Sequence, residues 1–382
     1  MLGWSMTRAQ IVLVAVVALL AGCSDGGTPE PSTAPSSVAS SSAPSSTTPS
    51  PSSPATVSVT SQDDVATGLP APWGIAFLPS GDAVVTLRDE KRLVLVSPDG
   101  DVRRVTGTGA DQLDGLVKPD GEAGLLGVAV LDARGDDVDL ALYATTAKDN
   151  RVLRATLTGT KLGAVTPIFT GIHKAINHDG GRLAVGPDGY LYVTTGDARD
   201  RPDAQDKESL NGKILRITPD GDPAPGNPFD SPVWSYGHRN VQGIGWAADG
   251  RMFASEFGQD TWDELNLITP GSDYGWPVVE GIADRKGYVD PLLQWSTDDA
   301  SPSGLAVTDE GVYLAGLRGQ RLWRVPLRAD GVGKPQALLT DLGRLRAVTK
   351  APDGSLWVLT NNTDGRGTPR DGDDRIVRIT VG

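Results

Sequence analysis

The chain has 382 residues, with 35 Lys plus Arg against 48 Asp plus Glu and a formal net charge of −13. A surplus of that sign is repelled by phosphate backbones, so it argues against nucleic acid as a partner and requires any anion site to be built locally. The single cysteine means that no disulfide forms within the chain, and the fold must rest on packing alone.

Residues 1–23 carry Arg8, the apolar run Ile11 to Ala21, and then Leu20-Ala21-Gly22-Cys23. The run is shorter than the ~20 residues needed to span a bilayer, but it suits a secretory signal. Its end is similar to a bacterial lipobox, with Cys23 as the lipidated residue. The expectation is a protein exported and lipid-anchored to the outer face of the cell membrane. Residues 24–56 are nearly all Ser, Pro, Thr, Ala and Gly, a composition that cannot bury enough apolar surface to offset chain entropy, so they read as a disordered tether. The folded domain is expected over residues 57–382.

Within that domain a pattern of strand, turn and strand recurs every ~40 to 60 residues, the period of propeller blades. Trp73-Gly-Ile-Ala-Phe77, Pro79-Ser-Gly-Asp82 and Ala83 to Thr86 form the first copy, and Gly124-Leu-Leu-Gly-Val-Ala-Val130 opens the second. The third spans Asn177 to Asp197, where Leu183 to Val185 and Tyr190 to Thr194 flank the turn Pro187-Asp188-Gly189. A hairpin brings its far ends together, so His178 just before it and Asp197 just after it are expected to be neighbours at one rim. Gln242-Gly-Ile-Gly-Trp246, Ser303-Gly-Leu-Ala-Val307 and Leu345-Arg-Ala-Val348 open the remaining three. Six copies with no sustained helical period predict an all-β, six-bladed β-propeller, with Thr56 to Thr60 or Val65 to Leu69 closing the ring beside Ile376 to Val381. Two separate β-sandwiches are the alternative, but no linker-like break follows Pro54.

The loop Ser235-Tyr-Gly-His-Arg-Asn-Val-Gln-Gly243 is dense in polar side chains immediately before a strand, where propellers build sites. Arg344 and Arg346 are two apart, so on a strand they share a face, an arrangement that calls for an anion between them. With Arg239 and Arg318 they suggest a pocket for a carboxylated ligand. The loop Ser255-Glu-Phe-Gly-Gln-Asp-Thr-Trp-Asp-Glu-Leu-Asn-Leu-Ile268 offers carboxylates and carbonyls, hard-oxygen donors that suit calcium. Gly121 to Gly127 lacks the residues of a nucleotide-binding fingerprint.

With His178, Gly-His-Arg-Asn, Glu-Phe-Gly-Gln, Asp263-Glu264, Tyr274-Gly-Trp-Pro277 and Arg344-Leu-Arg346 in this order, the chain resembles the glucose/sorbosone dehydrogenase family. These are soluble aldose dehydrogenases that use pyrroloquinoline quinone (PQQ), and the family fold is a six-bladed propeller. The resemblance implies His178 as the base that takes the C1 hydroxyl proton of an aldose while hydride passes to the quinone, with Asp197 orienting it. It implies Arg239 stabilising the quinone oxygen, Asn240, Gln242, Ser303 and Glu122 beside the cofactor, and Arg318, Arg344 and Arg346 pairing with its carboxylates. The carbonyls of Gly258 and Gln259 would hold a calcium ion, and Asp263, Glu264 and Tyr274 resemble a second, structural calcium site. Glu122 stands where well-known members have Gln, and Arg318 where they have Lys. The partners implied are an aldose and an external electron acceptor of unspecified kind. A calcium-dependent lactonase and a non-catalytic sugar- or protein-binding propeller are the competing functions.

Overall fold

A computed structural model describes residues 57–382. The signal segment, Cys23 and the tether lie outside the described residues. No helix among the described residues is long and apolar enough to cross a membrane.

Six antiparallel sheets of four or five strands follow one another along the chain, with a two-stranded ribbon, Leu327–Arg328 against Gly331–Val332, inserted in the fifth. Their innermost strands are Pro72–Phe77, Leu125–Arg134, Leu183–Val185, Val241–Trp246, Pro302–Thr308 and Leu345–Lys350, the stretches expected to open the six copies. Each innermost strand packs against the next, and the sixth returns to the first, so the ring closes. Five blades have four strands in this topology, and the second adds the short Lys161–Leu162 to make five. The last blade takes Val59–Ala66 as its outer strand, antiparallel to Ile376–Val381. The closing strand therefore runs between and into both of the expected segments. A helix over Thr108–Leu116 joins the first two blades, an element that periodicity did not announce because only Gly109 and Leu113 of it are buried.

The recurring Gly in the inner strands has a steric reason. A Cβ at Gly74 would stand 2.6 Å from Leu126 O, and one at Gly304 would stand 2.7 Å from Ala347 Cα, so neighbouring blades meet here backbone to backbone. The hydrophobic clusters lie between blades. One joins Val84, Leu93 and Leu95 of the first to Leu140, Leu142 and Leu153 of the second, and another joins Tyr313 and Leu322 of the fifth to Val358 and Val377 of the sixth. Stability is thus shared around the ring, and the axis is left for polar groups.

Candidate active site

The third hairpin is built as the sequence predicts, with Leu183 opposite Val193 and Val185 opposite Leu191. Gly186 N–H closes the turn by donating to Tyr190 O at 2.9 Å. The segments flanking it converge at the mouth of the axis. His178 holds a left-handed backbone (φ 65°), followed by Gly180 and Gly181, also at positive φ. Gly196 is where the other arm passes underneath, since any Cβ there would collide with His178 O.

His178 Nδ1 lies 2.7 Å from Asp197 Oδ1, and Arg239 Nη2 lies 2.8 Å from His178 Nε2. A guanidinium only donates, so Nε2 accepts and the ring proton sits on Nδ1, donated to Asp197. Asp197 also accepts from Arg199 N–H at 2.8 Å and from Trp276 Nε1–H at 2.9 Å. Burial alone would push its carboxyl up, but the hydrogen bonds from His178, Arg199 and Trp276 hold it below the ordinary carboxylate range. The result is an imidazole with its basic nitrogen at the mouth and its tautomer fixed from behind. Arg239 is held by Gln259 Oε1 and by Phe257 O, and it lies 5.6 Å from the Trp276 ring.

Beyond Arg239 the polar set continues along the axis. Gln242 Oε1 accepts from Ser303 Oγ–H at 2.9 Å and from Arg346 Nη1 at 3.0 Å, while Arg346 Nε donates to Asn361 Oδ1 at 3.1 Å. Arg346 and Arg182 both face the Trp73 ring, at 5.9 and 4.1 Å. Burial pushes each guanidinium down to about 9. Arg344 donates to Asp364 Oδ2 at 2.9 Å, and Arg346 stands 3.8 Å from the same oxygen. The anion that the Arg pair requires is thus supplied in part by the chain itself.

Four donors of this set are buried without a partner: Asn240 Nδ2, Asn361 Nδ2, Arg344 Nε and Arg182 Nη2. Unpaired buried donors are costly, and a ligand rich in carboxylate and carbonyl oxygens suits them.

Several expected residues stand differently. Arg318 is exposed and pairs with Asp298, so it does not join the buried arginines. Arg344 and Arg346 are buried at 8% and 4% exposure, so charge reversal at either would set a carboxylate against Asp364 and could not leave the fold intact as a surface pair would. Asp263 Oδ1 accepts from Gly258 N–H and Oδ2 from Ser301 N–H, so the side chain clamps two loops together. Burial pushes its carboxyl up to about 6. The Tyr274 hydroxyl donates to Leu267 O and accepts from Thr269 N–H, so it is engaged in holding the chain beside it. Glu264 accepts from Gly281 N–H and Asn266 Nδ2, and burial together with Glu256 pushes it up to about 8.

The Gly258–Gln259 turn is shaped by Glu280, whose Oε1 accepts the N–H groups of Gln259, Asp260, Thr261 and Trp262. Those amides point one way, and the carbonyls of Gly258 and Gln259 accept no hydrogen bond among the described residues. Two free carbonyls fit a hard cation. His238 bridges Ser235 and the Glu256 carboxylate in the interior, and His173 is exposed beside Asp203, so neither rivals His178 at the mouth.

Trp276, Asp364, Glu280 and Arg182 were missed as site residues in the sequence. Trp276 stood in a quoted motif and Arg182 in the third repeat copy, each without a role, and Asp364 and Glu280 lie in no motif that spacing alone could mark.

Fold and site define a propeller whose axial mouth pairs a carboxylate-held imidazole with buried arginines and unpaired donors. The family model for "Glucose / Sorbosone dehydrogenase" matches residues 69–371, and the chain belongs to that family. It is similar to the PQQ-bound aldose sugar dehydrogenase of Streptomyces coelicolor, with 50% identity and a TM-score of 0.81 over 86% of this chain and 98% of that one. An aldose sugar dehydrogenase of Escherichia coli is 30% identical over 356 residues, covering 81% of this chain and 92% of that one. The quinoprotein glucose dehydrogenase B of Acinetobacter calcoaceticus is 30% identical over 261 residues, 59% of this chain and 54% of its own length.

Proposed function

We propose that the protein oxidises the C1 hydroxyl of an aldose to the lactone with pyrroloquinoline quinone as cofactor and calcium as its metal. The observation that carries this reading is the Asp197–His178–Arg239 chain of hydrogen bonds beside a cluster of buried, incompletely paired donors. When bound, the quinone supplies the electrophilic carbonyl that accepts hydride from C1. Arg344 and Arg346, with Asn240 and Asn361, would hold its carboxylate and carbonyl oxygens, and Gly258 and Gln259 would hold the cation.

The chain's own part in the chemistry is proton and charge handling. A sugar hydroxyl would take the place of the Arg239 N–H at His178 Nε2 and give its proton to that nitrogen. Asp197 stabilises the imidazolium that results. Arg239, freed from Nε2 but still tied to Gln259 and Phe257, presents its donors to a developing oxyanion.

A lactonase of this architecture would need convergent carboxylates around a metal, and among the described residues no group of three or more His, Cys, Asp or Glu side chains is placed to hold one. The apoprotein should reduce dye with an aldose only after quinone and calcium are added together, yielding the lactone. Full activity in excess chelator, or hydrolysis of lactone without dye reduction, would overturn the reading. Anchorage through Cys23 belongs to the same proposal, and recovery of the full-length protein wholly in the soluble fraction of its host would refute it.

A further inference from the structure

Glu122 and Arg366 lie 244 residues apart, in the loops before the second blade and after the second strand of the sixth, yet they meet beside His178. Arg366 Nη1 donates to Glu122 Oε1 at 2.9 Å, and the other oxygen, Oε2, accepts the His178 N–H at 3.3 Å. The Glu122 amide in turn donates to Ile176 O at 2.8 Å, so Glu122 is tied to the His178 segment through both main chain and side chain.

The segment needs such support. His178 is left-handed, a backbone state a side-chain-bearing residue keeps only when its surroundings hold it. Asp197 fixes the ring and the Ala198 N–H holds the His178 carbonyl at 3.1 Å, but neither holds the amide on the other side of the residue. Glu122 fixes that amide.

We propose that Arg366 is a positioning residue for His178, acting through Glu122 across the mouth. The carboxylate is the acceptor for the His178 amide, and the guanidinium holds that carboxylate in place while offsetting its charge at the imidazole. Arg366 is mostly exposed and touches neither the ring nor its partners, so its effect must pass through Glu122. Other charges face Glu122 as well. Arg346, Arg88 and Arg239 favour its ionised form, and Asp179 opposes it. Burial is the largest influence on the Glu122 carboxyl and raises it, and the hydrogen bond from Arg366 is the largest of those that bring it below the ordinary range.

The inference rests on His178 as the base, and its test separates the two ideas. In the reconstituted holoenzyme, Arg366→Ala should lower kcat about tenfold, the smaller end of what loss of a supporting partner costs. It should also move the acid limb of the pH–rate profile upward by about 0.5 to 1 unit, because an unpaired carboxylate beside the segment favours the protonated imidazole. Arg366→Lys should restore most of both. In a Glu122→Gln background, Arg366→Ala should produce no further shift. With only three histidines, 15N-histidine NMR of the protein reads the His178 ring directly, and its titration should follow the same pattern of variants. An unchanged profile and titration in Arg366→Ala, or an equal shift in the Glu122→Gln background, would overturn the proposal. If the NMR pattern holds while activity does not depend on His178, the pairing stands and the assignment of the base fails.

Discussion

Asp197→Asn removes one charge and changes almost no volume, which makes it the sharpest probe of the proton path. Asp197 accepts three hydrogen bonds, two at Oδ1 from His178 and Arg199 and one at Oδ2 from Trp276. An amide has one acceptor oxygen. If that oxygen stays with His178, the new NH2 confronts the Trp276 indole N–H, and two buried donors face each other at a cost of about 1–3 kcal/mol. If the amide turns over, the NH2 confronts Nδ1, the ring proton moves to Nε2, and the nitrogen needed as base is blocked. Either way the site is spoiled. Loss of a positioned base costs on the order of 10² to 10⁴-fold in kcat. The assay is dye reduction by the reconstituted enzyme, with urea unfolding of the same protein alongside. The Asp197 carboxyl is held low in the fold, so its contribution to stability is present above the unfolded value of about 3.9 and is lost as pH falls through the lower folded value. The Asn variant should lose this dependence. A variant within twofold of wild type in kcat at neutral pH would refute the argument.

Asp179 offers the opposite sign. Burial pushes its carboxyl up to about 7, and Oδ2 has no partner while Oδ1 accepts from Asn150 and Ala175. The folded state holds a proton that the unfolded chain has lost, so stability falls as pH rises from about 4 to 7. Asp179→Asn keeps the accepting oxygen, and it should gain about 1–3 kcal/mol over wild type at pH 8 but little at pH 4, measured by urea unfolding. Arg346→Gln should weaken quinone binding in a direct titration by tenfold or more, since two of its donors serve Gln242 and Asn361 and the rest of its charge faces the cluster. Unchanged affinity would show that the buried arginines serve packing alone.

Much of this architecture was legible because a propeller writes its period into the chain. Each inner strand needs glycine or alanine where blades meet, as at Gly74, Gly304 and Ala347, and each hairpin needs its turn, so six copies could be counted by eye. His178 and Asp197 were legible for the same reason, since hairpin geometry alone makes their segments neighbours. What could not be read were groupings made by the closed ring or by a long loop. Arg366 reaches Glu122 only because the closed ring brings the sixth blade back towards the first two, and Asp364 reaches Arg344 and Arg346 through a long loop of the sixth blade itself, which no repeat spacing marks. Arg318 misled for the converse reason. Its sequence neighbourhood matches the arginine set, but its loop carries it out to Asp298 and solvent. The Thr108–Leu116 helix escaped notice because a helix with so narrow a buried face has no period to detect.

The most direct test of the central claim is His178→Gln in the enzyme reconstituted with quinone and calcium. Glutamine keeps a polar side chain at the mouth but offers no nitrogen that can take a proton near neutral pH. The account predicts a fall in kcat on the order of 10² to 10⁴-fold, with quinone affinity retained because the buried arginines and asparagines are untouched. Retention of the rate in His178→Gln, with loss of it in His173→Gln or His238→Gln instead, would contradict it.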